Sequence, residues 1–274
     1  MKRSWFAWPY ALWLCLFTIA PLLFVLYYAF TLPDGTFTFQ QLIAFAQPTY
    51  LKILWHSLYL AFFCTLICLV LGYPAAYFLA SKDFGRKKTL FVLFLLPMWM
   101  NFLLRTYAWM SLLEDNGLIN NMLAAVGLPR IHMINTAGAV VLGMVYNYIP
   151  YMILPIYSVL TKIDNSVIEA AQDLGANNRN VFLKVVLPMS MPGVISGVTM
   201  VFVPAVSTFI ISKMLGGGGN LLIGDLIDMQ FLGSAYNPNL GSAISLVLMV
   251  IILICMGIMN QFDDGENVGG GMIL

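Results

Sequence analysis

The sequence predicts an all-α polytopic membrane protein with six transmembrane helices and one structured cytoplasmic loop. Three observations carry that prediction. Of 274 residues, 61% are hydrophobic and 9% charged, and mean hydropathy is +0.87, whereas soluble domains carry roughly 25% charged residues. The few charges are clustered, leaving long uncharged gaps. Lys and Arg then fall mostly on one of the two sides that six spans would define. A net charge of +1 lacks the basic excess that a polyanionic partner such as nucleic acid requires.

A membrane helix needs about 20 mostly apolar residues. The uncharged gaps 4–33, 53–81, 131–161, 185–212 and 229–262 exceed that, and the gap that opens at Thr89 reaches it by running past Arg105. Spans are therefore expected near 8–31, 54–80, 89–112, 137–161, 191–212 and 241–260. The opening Met-Lys-Arg and apolar run is too long for a signal h-region and meets no small-residue cleavage site, so it is expected to be kept as the first span. Gly35–Leu51 is uncharged but too short to cross, which fits an external loop or surface helix. Nine basic residues (Lys2, Arg3, Lys82, Arg86, Lys87, Lys88, Lys162, Arg179, Lys184) lie on one side, against Lys52, Arg105, Arg130 and Lys213 on the other. The excess marks the cytoplasmic side and puts both termini there. Residues 1–260 read as a single membrane domain with its core at 54–260, and the acidic, Gly-rich stretch 261–274 as a disordered cytoplasmic tail.

Chemistry-bearing constellations are scarce. Cys15, Cys64, Cys68 and Cys255 all lie in spans; Cys64 and Cys68 share a helix face, but no second pair completes a zinc site, so packing is expected. His56 and His132 have no carboxylate or Cys close by in sequence. The run Gly216–Gly219 leads into Asn220-Leu221, not Gly-Lys-Ser/Thr, and so is no phosphate loop. All twelve acids fall in loops or at span ends, whereas proton-coupled pumps usually carry an ionisable group at mid-depth. The chain is expected to be no enzyme and to hold neither metal nor cofactor. Any uphill transport would draw its energy from another polypeptide.

The loop 162–190 reads KIDNSVIEAAQDLGANNRNVFLKVVLPMS. Ser166 and Glu169 have capping-box spacing, with the serine as N-cap and the glutamate reaching back. Val167, Ala170, Ala171 and Leu174 follow as an apolar stripe, and Gly175 is placed to close the helix in the left-handed region. A second short helix is expected over Val181, Phe182, Val185 and Val186, with Pro188 marking a break before the fifth span. Composition alone also fits an interfacial hairpin that only covers helix ends. The order of residues resembles something more specific. Glu169-Ala170-Ala171, three residues, Gly175, nine residues, Val185, one residue and Leu187-Pro188 is similar to the EAA signature of binding-protein-dependent ABC importer permeases, with Val185 where that family usually has Ile. Further stretches, Leu71–Ala80, Glu169–Gly193 with its ending Leu187–Gly193, and Gly216–Leu232 with its ending Asn220–Leu232, resemble the spermidine/putrescine type, the first of its two membrane subunits. The tail beyond Asn260 departs from it.

That resemblance implies a type I ABC importer permease fold in a bacterial inner membrane. It implies a second permease subunit, two copies of a cytoplasmic ATPase that hold the ATP and Mg, and an extracytoplasmic polyamine-binding protein. It implies that Glu169, Ala170, Ala171, Gly175, Val185, Leu187 and Pro188 form the coupling segment, with Glu169 serving as cap, as ATPase contact or as both. Long polycations are bound by carboxylates and aromatic faces, each cation–π contact contributing about 0.5–2 kcal/mol. Trp99, Asn101, Tyr146 and Tyr148 are accordingly candidates for the path, although Trp and Tyr also form interfacial belts. Asp225 and Asp228 are candidate outer-loop contacts. Pro74, Pro97, Pro150, Pro155, Pro192 and Pro204 in or at the ends of spans fit kinked helices around a path, and equally fit packing kinks. With no acid at mid-depth on this chain, a partner permease is expected to supply one. The same architecture serving another solute, or a stand-alone channel, remains open at this point.

Overall fold

The computed structural model describes residues 8–80, 96, 98–233 and 235–267, and these are overwhelmingly helical. In chain order the helices are α1 (Trp8–Ala29), α2 (Gln40–Phe45), α3 (Pro48–Ala80), α4 (Phe102–Leu113), α5 (Leu118–Ala125), α6 (Ala137–Leu160), α7 (Asn165–Asp173), α8 (Asn178–Ser207), α9 (Ile210–Leu215), α10 (Ile223–Phe231) and α11 (Pro238–Asn267). Five helices among the described residues are long and apolar enough to cross a membrane: α1, α3, α6, α8 and the Pro238–Met259 part of α11. The expected third span, 89–112, lies partly outside the described residues. What is described of it is broken at Met100 and Asn101 before α4 begins. The first uncharged loop holds the short surface helix α2, as its length requires.

α3, α6 and α8 pack against one another to form the core, while α1 leans mainly on α11. The α6–α8 crossing is close because two glycines, one turn apart on α8, face α6. A Cβ on Gly193 would sit 2.9 Å from the Pro155 carbonyl oxygen and 3.0 Å from Ile156 Cα; one on Gly197 would meet Met152 Sδ at 2.8 Å and its carbonyl oxygen at 3.1 Å. Between apolar helices in lipid, association rests on this kind of close van der Waals packing. Gly72 of α3 meets the opposite flank of Met152 and Ile153, so Met152, fully buried, is shared by all three helices. Cys64 and Cys68 are buried on α3, in the packing role expected of them.

Two expectations about helix ends need correction. Pro188 does not break the chain: α8 runs unbroken from Asn178 through a π turn at Phe182–Val186 into the span. The wide turn absorbs the residue whose missing N–H and ring would otherwise disrupt an α-turn. The stretch 261–267, expected to be disordered, continues α11. Adding one residue to an existing helix gains a hydrogen bond at little cost, and this extension carries through Gly265. Residues 268–274 lie outside the described residues, as do Pro97, Lys82 and Arg86–Lys88. Pro74, Pro150, Pro155, Pro192 and Pro204 all lie inside helices.

The α6–α8 crossing can be tested directly. Gly197→Leu should destabilise the purified protein by about 1–3 kcal/mol, the usual cost of overpacking, and lower its thermal midpoint in detergent. Gly257→Ala, where an added Cβ meets nothing within 4 Å, should leave that midpoint unchanged.

Candidate functional site

The loop 162–190 forms a protruding helical hairpin. Its N-cap is Asp164, not Ser166: Asp164 has extended backbone (φ −67°, ψ 132°), and its carboxylate accepts the Ser166 N–H at 3.0 Å. That bond holds the Asp164 carboxyl below its usual range. The aspartate lies two residues upstream of the serine and captures the first free amide, so the helix begins earlier. Glu169 then falls in the second turn, past the N3 position from which a capping-box carboxylate reaches back. At the other end Gly175 adopts φ +84°. The Gly175 N–H donates to the Gln172 carbonyl at 2.9 Å and the Ala176 N–H to the Ala171 carbonyl at 3.1 Å, the paired bonds of a Schellman closure. α7 is thus fixed at both ends by its own residues.

Its faces divide differently from the expected stripe. Ile168 and Ala171 turn toward the body of the protein, together with Ile163, Ala176 and Phe182. Val167, Glu169, Ala170 and Gly175 are exposed, and Leu174 is 90% exposed. Val167, Ala170 and Leu174 therefore form an outward apolar ridge. Below it Val185 and Leu187 are half-buried and Pro188 is exposed. Phe182 meets Tyr73 and Tyr77 of α3 edge-on, with ring centroids 5.9 and 5.4 Å apart, and the Tyr73 and Ser190 hydroxyls share a hydrogen bond of 2.8 Å. The hairpin is joined to the core by packing as well as by the chain.

The path candidates are not brought together. Trp99 is 81% exposed. Asn101 sits just before α4, where its side-chain oxygen accepts the Leu103 and Leu104 N–H groups at 2.8 and 3.4 Å and caps the helix. Tyr146 meets Trp109 edge-on at 5.3 Å and lines an apolar groove of about 660 Å³ between α3 and α6. Tyr148 faces the other way. It is buried, with its hydroxyl donating to the Pro204 carbonyl at 3.4 Å, a carbonyl near the end of α8 where the helix stops at Ser207. Tyr148 packs within the core of this chain. Asp225 is also not a solvated loop acid: it is 4% exposed, and its Oδ2 accepts the Leu222 N–H at 2.8 Å. Asp228 pairs with Lys213 at 3.1 Å.

Sequence reasoning missed two features. Arg105 lies on the inward face of α4, 8% exposed, with Nε and Nη1 lacking hydrogen-bond partners; its neighbours in sequence, Leu104 and Tyr107, gave no sign of that burial. His132 does have a carboxylate partner, Asp115, at 2.8 Å across the α5 loop. Seventeen residues of separation hid it. Among the described residues no group of three or more His, Cys, Asp and Glu could hold a metal ion.

A model of the family "binding-protein-dependent transport system inner membrane component" matches residues 5–265. The chain belongs to that family. It is 38% identical over 248 residues to the spermidine/putrescine transport system permease protein PotB of Haemophilus influenzae, covering 88% of this chain and 86% of the relative. To PotB of Escherichia coli K12 it is 37% identical, covering 88% and 90%. In fold it matches a chain of a bacterial ABC transporter that imports the acidic polysaccharide alginate, with a TM-score of 0.82 and 17% identity over 95% of this chain and 96% of that one. A chain of the alginate transporter in complex with an alginate pentasaccharide-bound periplasmic protein matches with a TM-score of 0.81. The permease fold is therefore shared well beyond the range of sequence similarity. Within it, Tyr148 is expected to matter for stability: Tyr148→Ala should lower stability by about 3–5 kcal/mol. Tyr148→Phe, which loses one long hydrogen bond, should cost no more than about 1 kcal/mol. Thermal unfolding in detergent separates the two.

Proposed function

We propose that the protein is the membrane-spanning permease subunit of an ATP-binding-cassette importer that moves polyamines such as spermidine and putrescine into the cell. The observation that carries this reading is the relationship to PotB proteins, which extends over nearly the whole of both chains. In this reading six spans cross the inner membrane with both termini in the cytoplasm, and the hairpin 162–190 is the coupling segment. Two copies of a cytoplasmic ATPase, which bind the ATP and Mg, grip that hairpin. A second permease subunit completes the path, and an extracytoplasmic binding protein delivers the polyamine.

The hairpin suits such a grip on physical grounds. A helix closed at both ends transmits a rigid-body shift, whereas a loose loop would dissipate it. The exposed ridge of Val167, Ala170 and Leu174 is an apolar surface of the kind that mating grooves cover. Glu169 stands beside that ridge as the polar contact. Trp99 and Asn101 border the path at the break in the third span, with Tyr146 further along it; Tyr148 is withdrawn from the path.

Two measurements test the reading. Co-expressed with an ATPase, a partner permease and a binding protein, the chain should co-purify with them and support ATP-dependent uptake of radiolabelled spermidine, with putrescine competing. Transport by this chain alone in liposomes would instead favour a channel. Leu174→Asp and Gly175→Asp should each leave the protein in the membrane yet reduce uptake by at least about tenfold, since an interface residue at the centre of a contact contributes about 2 kcal/mol or more. Unchanged uptake in both would remove the hairpin from the coupling.

A further inference from the structure

At the end of α8 remote from the hairpin lies a cavity of about 180 Å³ lined by Ser212, Lys213, Gly217, Gly218, Asp225 and Asp228 among others. Its position follows from the backbone. α8 stops at Ser207, and α10 begins against that end: a Cβ on Gly224 would lie 2.5 Å from the Thr208 carbonyl oxygen and 2.6 Å from that of Ser207. The C-terminal end of α8, with its partial negative charge, thus lies beside the first turn of α10, which carries Asp225. The roof is the turn Gly216–Gly219. Gly217, at φ +56°, packs on Asn135 so closely that a Cβ would meet Asn135 Oδ1 at 2.7 Å, whereas Gly218 has open space around it.

Two carboxylates and one ammonium line the cavity. Asp225 is more than nine-tenths buried and lines it. One carboxylate oxygen serves the Leu222 N–H, while Oδ1 has no hydrogen-bond partner. The Ser212 hydroxyl beside it donates to the Phe209 carbonyl at 2.9 Å. Burial pushes the Asp225 carboxyl above its ordinary range, and the neighbouring Ser212, the Leu222 amide and the Lys213 charge pull the other way. A buried polar atom without a partner is rare in folded proteins and calls for a ligand, ion or water. Asp228, the second carboxylate, already holds an alkylammonium: Lys213 Nζ, at 3.1 Å, on a side chain that is 68% exposed. Leu221 and Met229 supply apolar wall.

We propose that this cavity binds a primary alkylammonium group, the terminus of an incoming polyamine, and that Lys213 is its displaceable internal occupant. The incoming ammonium takes the place of Lys213 Nζ at Asp228 and reaches the unpartnered oxygen of Asp225, while its methylene chain lies on Leu221 and Met229. Lys213, with most of its side chain in solvent, swings away at little cost. The proposal rests on the polyamine reading above.

The test uses the complete transporter, reconstituted with its ATPase, partner permease and binding protein. If the wild type takes up no polyamine, the functional reading fails, and this site with it. If the wild type does take up spermidine, Lys213→Ala should lower KM about 2- to 5-fold at unchanged kcat, the range expected for removing an exposed competing ion pair. Asp225→Asn, which keeps an oxygen for the Leu222 amide, should raise KM by about tenfold or more, as for the loss of a charge-assisted hydrogen bond. Asp228→Asn should change KM in the same direction and serves as the second variant should Asp225→Asn misfold. Equilibrium binding of radiolabelled putrescine to the transporter in nanodiscs, without binding protein, should follow the same order. A purely structural staple between α9 and α10 predicts the opposite pattern: Lys213→Ala would lower the thermal midpoint and kcat, with KM and putrescine binding unmoved. That pattern, or unchanged KM in all three variants, would overturn the proposal.

Discussion

The close approach of α6 and α8 is the constraint on which the rest of the structure depends. Gly193 and Gly197 let the α8 backbone lie against Pro155, Ile156 and Met152, and Met152 in turn receives Gly72 of α3. In a lipid environment there is no hydrophobic gain from bringing apolar helices together, so contact density must hold them. Three helices locked around one methionine provide it. The long spans can then be apolar on their outer faces, as the exposed Trp55, Phe62, Leu66 and Val70 of α3 are.

The second constraint is the backbone itself. A membrane-embedded chain must satisfy its amides and carbonyls internally, and here irregular segments are each given specific partners. Asn101 caps α4 where the chain enters it. Tyr148 takes a carbonyl near the end of α8. Asn239, at the start of α11, donates to the Tyr28 and Thr31 carbonyls at 3.2 and 2.7 Å and ties the end of α1 in place. Ser57 of α3 accepts the Ile223 N–H at 2.8 Å and fixes the start of α10. Other polar side chains turn back on their own helix, as Thr65 does on the Ala61 carbonyl and Asn147 on that of Gly143.

Much of this was legible in the sequence. Uncharged length located four of the five long helices to within a few residues at most ends, because hydropathy and span length are strict requirements of a bilayer. Gly175 was legible because its place after an apolar stripe has one conformational meaning. The errors share a cause: they concern choices between chemically equivalent local options. Asp164 and Ser166 are both good caps, and only the chain direction entering α7 selects the first. Pro188 breaks an α-helix but not a π turn, and the sequence does not show which turn precedes it. Tyr146 and Tyr148 look alike as aromatic residues; two positions apart on a helix, they necessarily point about 200° apart, and which one faces α8 depends on packing. Burial of Asp225 and Arg105 was invisible because each depends on segments far away in sequence.

The π turn at Phe182–Val186 carries a mechanical corollary. Because the helix is widened there and never interrupted, the chain from Asn178 to Ser207 is a single strut about 45 Å long at 1.5 Å per residue. A continuous helix of that length carries a tilt at one end toward the other, with Pro192 and Pro204 inside it as the places where it can bend. The far end is where Gly224 rests on the Ser207 and Thr208 carbonyls. A push on the near end is therefore felt at the glycine-roofed corner on the opposite side, less whatever bending the two prolines take up.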